Sequence, residues 1–261
     1  MITRFLHITG ASVLKRLASL FEIVGLLYDT LCGLLQLRGK RHISTRQLVD
    51  QVLFTGVDAF GIIGLIALLA GVTISVQATT TMPRFGVDDY FGSLMVIAVI
   101  RELGPFFTSL VVIGRSGAAL AAYIGNMRVN KEIAALEAIG VDLVHFLVIP
   151  AFSGMIVSLI CLTIYFDIIA IVGGLLLASI NSVAPFTGFV LKVVEAMSAR
   201  DIFISLLKNI LFGAAIALIS CYHGLKVENV RIVPRAVFRA VVGSMIVTMI
   251  MNLLLTVIFY A

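Results

Sequence analysis

Five long apolar stretches, separated by short polar connectors, dominate the hydropathy pattern: about Val52 to Ala78, Phe91 to Ile124, Leu143 to Ile180, Ile202 to Tyr222 and Ala236 to Tyr260. A helix needs about 20 apolar residues to cross the hydrocarbon core of a bilayer, so the pattern predicts five transmembrane helices. The second and third stretches exceed that length. Each holds a candidate break, at Gly104-Pro105 and at Asp167 with Gly173-Gly174, where kinks, tilt or re-entry would absorb the excess.

The N-terminal stretch has a different period. Lys15, Glu22, Asp29 and Gln36 recur every seven residues, a step that drifts only ~20° around a helix. Leucines and other apolar residues from Leu17 to Leu35 cover the rest of the circumference. The expectation is an interfacial amphipathic helix with its polar stripe toward water; the alternative packs the stripe against protein. Residues 1–47 therefore form an N-terminal interfacial region and residues 48–261 the transmembrane domain. The carboxylates in this stretch, and the lack of a small-residue cleavage site after it, argue against a cleaved signal.

Composition narrows the class. Of 261 residues, 61% are hydrophobic and 13% charged, against about 25% charged in soluble domains, which predicts an all-α polytopic membrane protein. The net charge of +5 then reads as topology rather than nucleic-acid binding. Arg4, Lys15, Arg16, Arg38, Lys40, Arg41 and Arg46 precede the first span, Arg128 and Lys131 follow the second, and Lys226, Arg231, Arg235 and Arg239 lie between the last two. Arg84, Lys192, Arg200 and Lys208 fall on or near the other side. This bias predicts a cytoplasmic N-terminus and an outside C-terminus. Cys32, Cys161 and Cys221 lack any metal or redox spacing and read as small buried hydrophobes.

Candidate chemistry concentrates between Arg101 and Asp142. Ionisable groups at membrane depth cost about 2.5–3.5 kcal/mol each on insertion scales, so Arg101, Glu102 and Arg115 call for an explanation. Pro105 lacks an N–H, and its ring clashes with the carbonyl of Arg101 four residues back. The helix should kink there and free that carbonyl beside the Arg101-Glu102 pair, giving either a polar cavity near the outer end of the span or an anchor that snorkels to the headgroups. Arg115 sits among Gly114, Ser116, Gly117, Ala118 and Ala119, a close-packing surface, as a bundle-interior pair or an anchor. Gly114-Arg115-Ser116-Gly117 also spells the GxSG of intramembrane serine proteases, a reading that needs a histidine base facing Ser116.

The connector from Asn126 to Asp142 places Val129, Ile133, Leu136 and Ile139 on one side and Lys131, Glu132 and Glu137 on the other. Asn130 as N-cap and Gly140 at C′ would bound a short helix, either passive at the interface or docking a cytoplasmic partner. In the first span, Gly56, Gly61, Gly64 and Gly71 predict close packing, and Leu65, Ile66, Leu69, Val72, Ile74 and Val76 form an apolar wall suited to an acyl chain or to bulk lipid. The sequence has no HExxH, no Walker loop, no Cys/His metal cluster and no pair of intramembrane carboxylates. No catalytic residue, metal or cofactor is expected on this chain, and any energy source lies elsewhere. An ion-coupled secondary transporter of a small hydrophobic substrate is the alternative, but no convincing repeat supports it.

The segment Arg101-Glu102-Leu103-Gly104-Pro105, then Gly114-Arg115-Ser116-Gly117-Ala118-Ala119, Gly125-Asn126-Met127-Arg128 and Ile133 to Asp142 resembles the MlaE/YrbE permease family. These are the membrane subunits of ABC-type lipid transporters that work with MCE proteins, and the likeness extends more loosely from about Phe54 to the C-terminus. The resemblance implies a homodimer in the bacterial inner membrane, an outer face toward the periplasm and a periplasmic C-terminus. A cytoplasmic ABC ATPase, which would bind the ATP and Mg, is implied at a coupling helix that includes Arg128, Lys131, Glu132, Leu136, Glu137 and Gly140. It further implies an outward phospholipid cavity lined by Leu69, Val72, Thr73, Val76 and Gln77 of the first span with Arg101, Glu102 and Leu103 of the second. A periplasmic MCE-domain protein would seat on the outer face and carry phospholipid toward the outer membrane, serving outer-membrane lipid asymmetry.

Overall fold

A computed structural model describes residues 21–34, 45–85, 91–180, 191 and 193–260. Among them the chain is built of helices: α1 (residues 21–34), α2 (Thr45–Gly56), α3 (Phe60–Phe85), α4 (Ser93–Val129), α5 (Glu132–Ala138), α6 (Val144–Leu176), α7 (Ala199–Leu225) and α8 (Val233–Tyr260). Five helices are long and apolar enough to cross a membrane: Phe60–Thr81, α4, α6, α7 and a run from Val230 through α8. Helix α7 is the most enclosed and α8 the least, so α7 is the central post of the bundle. Phe212, Ile216, Ala217 and Cys221 of α7 are fully buried.

Two expected boundaries move. The first span begins at Phe60 rather than near Val52, because a 3₁₀ turn at Val57–Ala59 separates it from α2. Helix α2 packs on α6 instead, with Gln51 against Gly154 and the Ser158 hydroxyl donating to the Val52 carbonyl at 3.4 Å. The third span does not break: the α-helix from Ile149 to Ile180 runs through Asp167 and Gly173-Gly174. The glycines there serve packing. A Cβ at Gly71 would lie 1.9 Å from the Ala170 carbonyl oxygen, and one at Gly173 would lie 3.0 Å from that of Leu68. Ser75 donates to the Gly174 carbonyl at 2.9 Å, so α3 and α6 meet backbone to backbone. Cys161 departs from expectation too, being exposed while Cys221 is buried.

Helix α1 settles part of the question about its stripe. Ile23, Leu26, Leu27 and Leu34 pack on the core, while Phe21, Val24, Tyr28 and Leu31 face outward. Glu22 turns to protein, accepting from the Tyr222 hydroxyl at 2.8 Å and pairing with Lys226. Asp29 is exposed, and Lys15 and Gln36 lie outside the described residues. Hydrogen bonds from Lys226 and Tyr222 hold the Glu22 carboxyl below its ordinary pKa, and those to Glu22 and Tyr222 hold the Lys226 ammonium above its own.

Two expected outcomes follow. The Gly71→Leu variant should lose about 1–3 kcal/mol of stability by overpacking, read as a lowered Tm in detergent, because the Ala170 backbone cannot retreat. A depressed carboxylate stabilises the fold above its unfolded pKa and loses that contribution as pH falls through the folded value. Hydrogen exchange in residues 21–34 should therefore accelerate as pH drops below the ordinary carboxylate range, and Glu22→Gln should remove that dependence.

Candidate functional site

The strongest concentration of polar groups inside the bundle grows from the backbone of α4. Residues Val96–Leu103 wind as a π-helix, and the Gly104 N–H donates to the carbonyl of Val99, five residues back. Pro105 then has no N–H to offer, so carbonyls just before it lose their helical donor. The Lys208 ammonium takes up the Arg101 carbonyl at 2.8 Å. Lys208 is fully buried and uses all three of its donors: its other two go to Glu102 Oε1 and Thr256 Oγ1, each at 3.0 Å. Thr256 donates on to Glu102 Oε1 at 2.8 Å, and the Asn252 amide donates to Glu102 Oε2 at 3.1 Å.

One turn away lies the second half. Asp201 occupies the first turn of α7, where Ser198 and Asp201 form a capping box. Its carboxylate forms an ion pair with Arg101, 2.9 Å from Nε, and accepts hydrogen bonds from Arg101 Nη2, the Tyr260 hydroxyl and the Ser198 N–H at 3.2 Å each. The Arg101 guanidinium also stands over the Tyr260 ring, 4.5 Å from its centroid. Two cations and two anions thus neutralise one another across α4, α7 and α8. Beside them, a cleft of about 320 Å³ is lined by Glu102, Leu103 and Phe106 from α4 and by Met249, Asn252, Leu253 and Thr256 from α8.

The expected cavity residues of α3 occupy one face. Leu69 and Val76 are 55% and 41% exposed, Thr73 and Gln77 are exposed, and Val72 is half-buried. Within one chain this face and the Arg101-Glu102 pair are not brought together; the pair turns to α7 and α8. The sequence reading found no pair of intramembrane carboxylates, yet the fold joins Glu102 and Asp201 through Arg101 and Lys208. Lys208, expected within the fourth span on or near its outer side, lies inside that span, buried. The missing signal was spacing: Asp201 and Lys208 are seven apart on α7, and Asn252, Thr256 and Tyr260 four apart on α8, so each set shares a helix face.

Further along α4, a second π segment, Ile113–Gly117, carries Arg115. Its guanidinium donates to the Phe54 carbonyl of α2 at 3.5 Å, so Arg115 joins α4 to α2. Ser116 is buried with no hydrogen-bond partner for its hydroxyl among the described residues, so neither His145 nor His223 bonds to it as the protease reading requires, and His7 and His42 lie outside those residues.

The α4–α6 connector is more exposed than its pattern implied. Lys131, not Asn130, occupies the N-cap of α5, at φ +61°, while the Asn130 amide donates to Glu132 Oε1 at 3.2 Å. Only Ile133 is buried in α5, and Leu136 is half-buried. Arg128, Lys131, Glu132 and Glu137 are exposed. Gly140 ends the helix at φ +77°, and the N–H groups of Gly140 and Val141 return to the carbonyls of Glu137 and Leu136 at 3.0 Å each, a Schellman stop. Ile139, expected on the inward face, stands 75% exposed. Asp142 then starts α6. Burial raises its carboxyl pKa, but hydrogen bonds from His145 and the Val144 N–H outweigh that and hold it below the ordinary value.

Residues 48–258 match the family Permease MlaE. The chain belongs to the MlaE permease family. It is 31% identical over 214 residues to a probable ABC transporter permease protein of Rickettsia prowazekii, covering 82% of this chain and 83% of that one. It is 28% identical over 262 aligned residues to the intermembrane phospholipid transport system permease protein MlaE of Haemophilus influenzae, covering 100% and 99%. It is also 28% identical over 225 residues to the protein trigalactosyldiacylglycerol 1, chloroplastic, of Arabidopsis thaliana, covering 86% and 64%. The family match covers most of the chain. Together with its five apolar helices, that match makes the chain a multi-pass membrane protein.

If the four charges form one unit, deleting one partner should cost far more than deleting both. Lys208→Met, which strands the Glu102 carboxylate, should lose about 3–5 kcal/mol. The double variant Lys208→Met with Glu102→Gln should recover much of it. Thermal unfolding of the four members of this cycle is the measurement; additive losses would dissolve the unit.

Proposed function

We propose that this permease moves phospholipid as the membrane subunit of an ATP-driven ABC transporter, as a homodimer in the bacterial inner membrane. Its family and the printed function of the Haemophilus relative support the substrate class. The observation that carries the reading is the outward, unpartnered face of α3. Leu69, Val72, Thr73, Val76 and Gln77 form an apolar wall with a polar edge that the other described residues leave largely uncovered. A second copy turning the same face inward would enclose an amphiphile between the protomers. Arg101, Glu102 and Leu103 would stand at the mouth of that cavity, fixed by Asp201 and Lys208.

The energy would enter at the other end of α4. Helix α5 follows α4 after two residues, is held by buried Ile133, and presents Glu132, Glu137 and Ile139 outward. That is the shape of a handle: one apolar anchor below, charges and one free apolar residue above. A cytoplasmic ATPase, holding the ATP and Mg, would dock there. The surplus of Lys and Arg on the N-terminal region and on the α4–α6 and α7–α8 connectors supports a cytoplasmic N-terminus and a periplasmic C-terminus. On the periplasmic face an MCE-domain protein would pass lipid toward or from the outer membrane.

The test is co-reconstitution with the ATPase in vesicles that carry labelled phospholipid. Glu137→Lys should release the ATPase on co-purification and abolish ATP-dependent lipid movement, while leaving the stability of the permease unchanged within about 0.5 kcal/mol, as surface changes usually do. Retained ATPase binding and transport would remove α5 from the coupling role.

A further inference from the structure

A second cleft, of about 300 Å³, lies between α6 and α7. Of its lining residues only Ile100 comes from α4, so it is separate from the Arg101–Lys208 network. Its walls are isoleucines, with Ile164, Ile168 and Ile202 at an exposed rim. At its back sits Asp167, whose Oδ1 is buried and has no hydrogen-bond partner among the described residues. Gly104 makes room for it: a Cβ there would lie 2.3 Å from that oxygen. The contact explains the glycine before Pro105 independently of the proline.

The other polar groups of the cleft are already directed. Thr163 donates its hydroxyl proton to Asn209 Oδ1 at 2.8 Å, and the Asn209 amide donates to the Ser205 carbonyl at 2.9 Å. Thr163 Oγ1 and the Asp167 carboxylate are therefore left as acceptors. Among the described residues no Lys, Arg or His lines the cleft. A half-buried carboxyl beside isoleucines, with one oxygen that meets no donor among the described residues, is costly in a membrane protein for as long as it stays charged. A proton would relieve that cost, and so would a group that is positively charged, rich in N–H donors and attached to something apolar enough to lie along the walls.

We propose that this cleft is a lipid site for a phospholipid bearing a primary ammonium headgroup, with the ammonium on Asp167 and Thr163 and an acyl chain along the isoleucines. A primary ammonium supplies three donors and a full charge, which a hydroxyl headgroup does not. A bare metal ion would need six or so oxygen ligands and would have to shed its water against the apolar rim. The bilayer meets that rim directly, since Ile164, Ile168 and Ile202 lie on spanning helices. The site requires only that the chain resides in a membrane and stands whether or not the permease transports lipid.

The test is lipid binding to the delipidated permease in detergent, followed by native mass spectrometry and thermal shift. The probe is phosphatidylethanolamine, with phosphatidylcholine of the same chains as the comparison, because methylation removes every N–H while keeping the charge. Wild type should prefer phosphatidylethanolamine, and Asp167→Asn should weaken its binding by roughly tenfold or more and erase the preference. Ile164→Trp blocks the cleft from its rim without touching the carboxylate and should weaken binding as well, which keeps the test open if Asp167→Asn fails to fold. Equal binding of the two lipids to wild type, or unchanged binding in the variants, overturns the proposal. Competition by free ethanolamine at equal concentration would overturn the lipid assignment in favour of a soluble amine.

Discussion

Everything at the charged end of the bundle depends on one hydrogen bond, from the Lys208 ammonium to the carbonyl of Arg101. Pro105 deprives the α4 backbone of a donor at membrane depth, where water cannot substitute and an unmet carbonyl is expensive. A lysine from α7 supplies the donor, and its charge then demands an anion. Glu102, next along α4, meets that demand at 3.0 Å. Arg101 in turn is held by Asp201 of α7. One irregularity in one helix thus dictates four charged residues and ties three helices together. The same lysine that repairs the backbone fixes the orientation of the pair beside the cleft.

That logic also explains what was legible in the sequence. Apolar run length gave five spanning helices, because a bilayer imposes length on any helix that crosses it. Gly104-Pro105 announced a disturbed carbonyl, and Gly140 announced a helix stop, since both rest on local backbone chemistry. Non-local identities were hidden. Lys208 falls within the expected fourth span, but a hydropathy window records only that a cation interrupts an apolar run, not what it meets. Asp167 and Gly173-Gly174 looked like a break, yet the helix runs through. Those glycines are read by α3, whose Gly71 presses against Ala170 at a distance no side chain would allow. Glycine in a spanning helix signals either a flexible backbone or a close neighbour, and only the neighbour distinguishes them.

The N-terminal helix offered two readings, and the fold uses both. Of its stripe, the two described members differ: Glu22, still exposed, pairs with Tyr222 and Lys226, while Asp29 stays exposed without such a pair in α7. Helix α1 therefore lies across the end of α7 and the start of α6, where Gly33 meets Ile149 and His145. A side chain from the first helix and two from the end of α7 share one set of hydrogen bonds. Motion of α7 at that end would be felt by α1.

Helix α4 is the element through which the two ends communicate. From Arg101 to Arg128 it spans about 40 Å at helical rise, and it carries both π segments, one beside the charged network and one at Arg115. A π segment leaves its backbone carbonyls less regularly paired than an α-helix does, and so marks the places where a long helix can change its winding. Between the two segments, Gly104–Val112 is α-helical, with Thr108, Ser109 and Val112 buried, a stiff piece bounded by two adjustable ones. Below it, Gly117 packs on Ile216 and Ser220 of α7. A push on α5 would therefore reach the network as a rotation of the stiff piece rather than a bend spread along the helix. Lys208 would resist that rotation most, because the carbonyl it holds belongs to the first residue beyond Ile100, inside the upper adjustable segment. The bond that repairs the defect is also the one that sets how readily the defect can move.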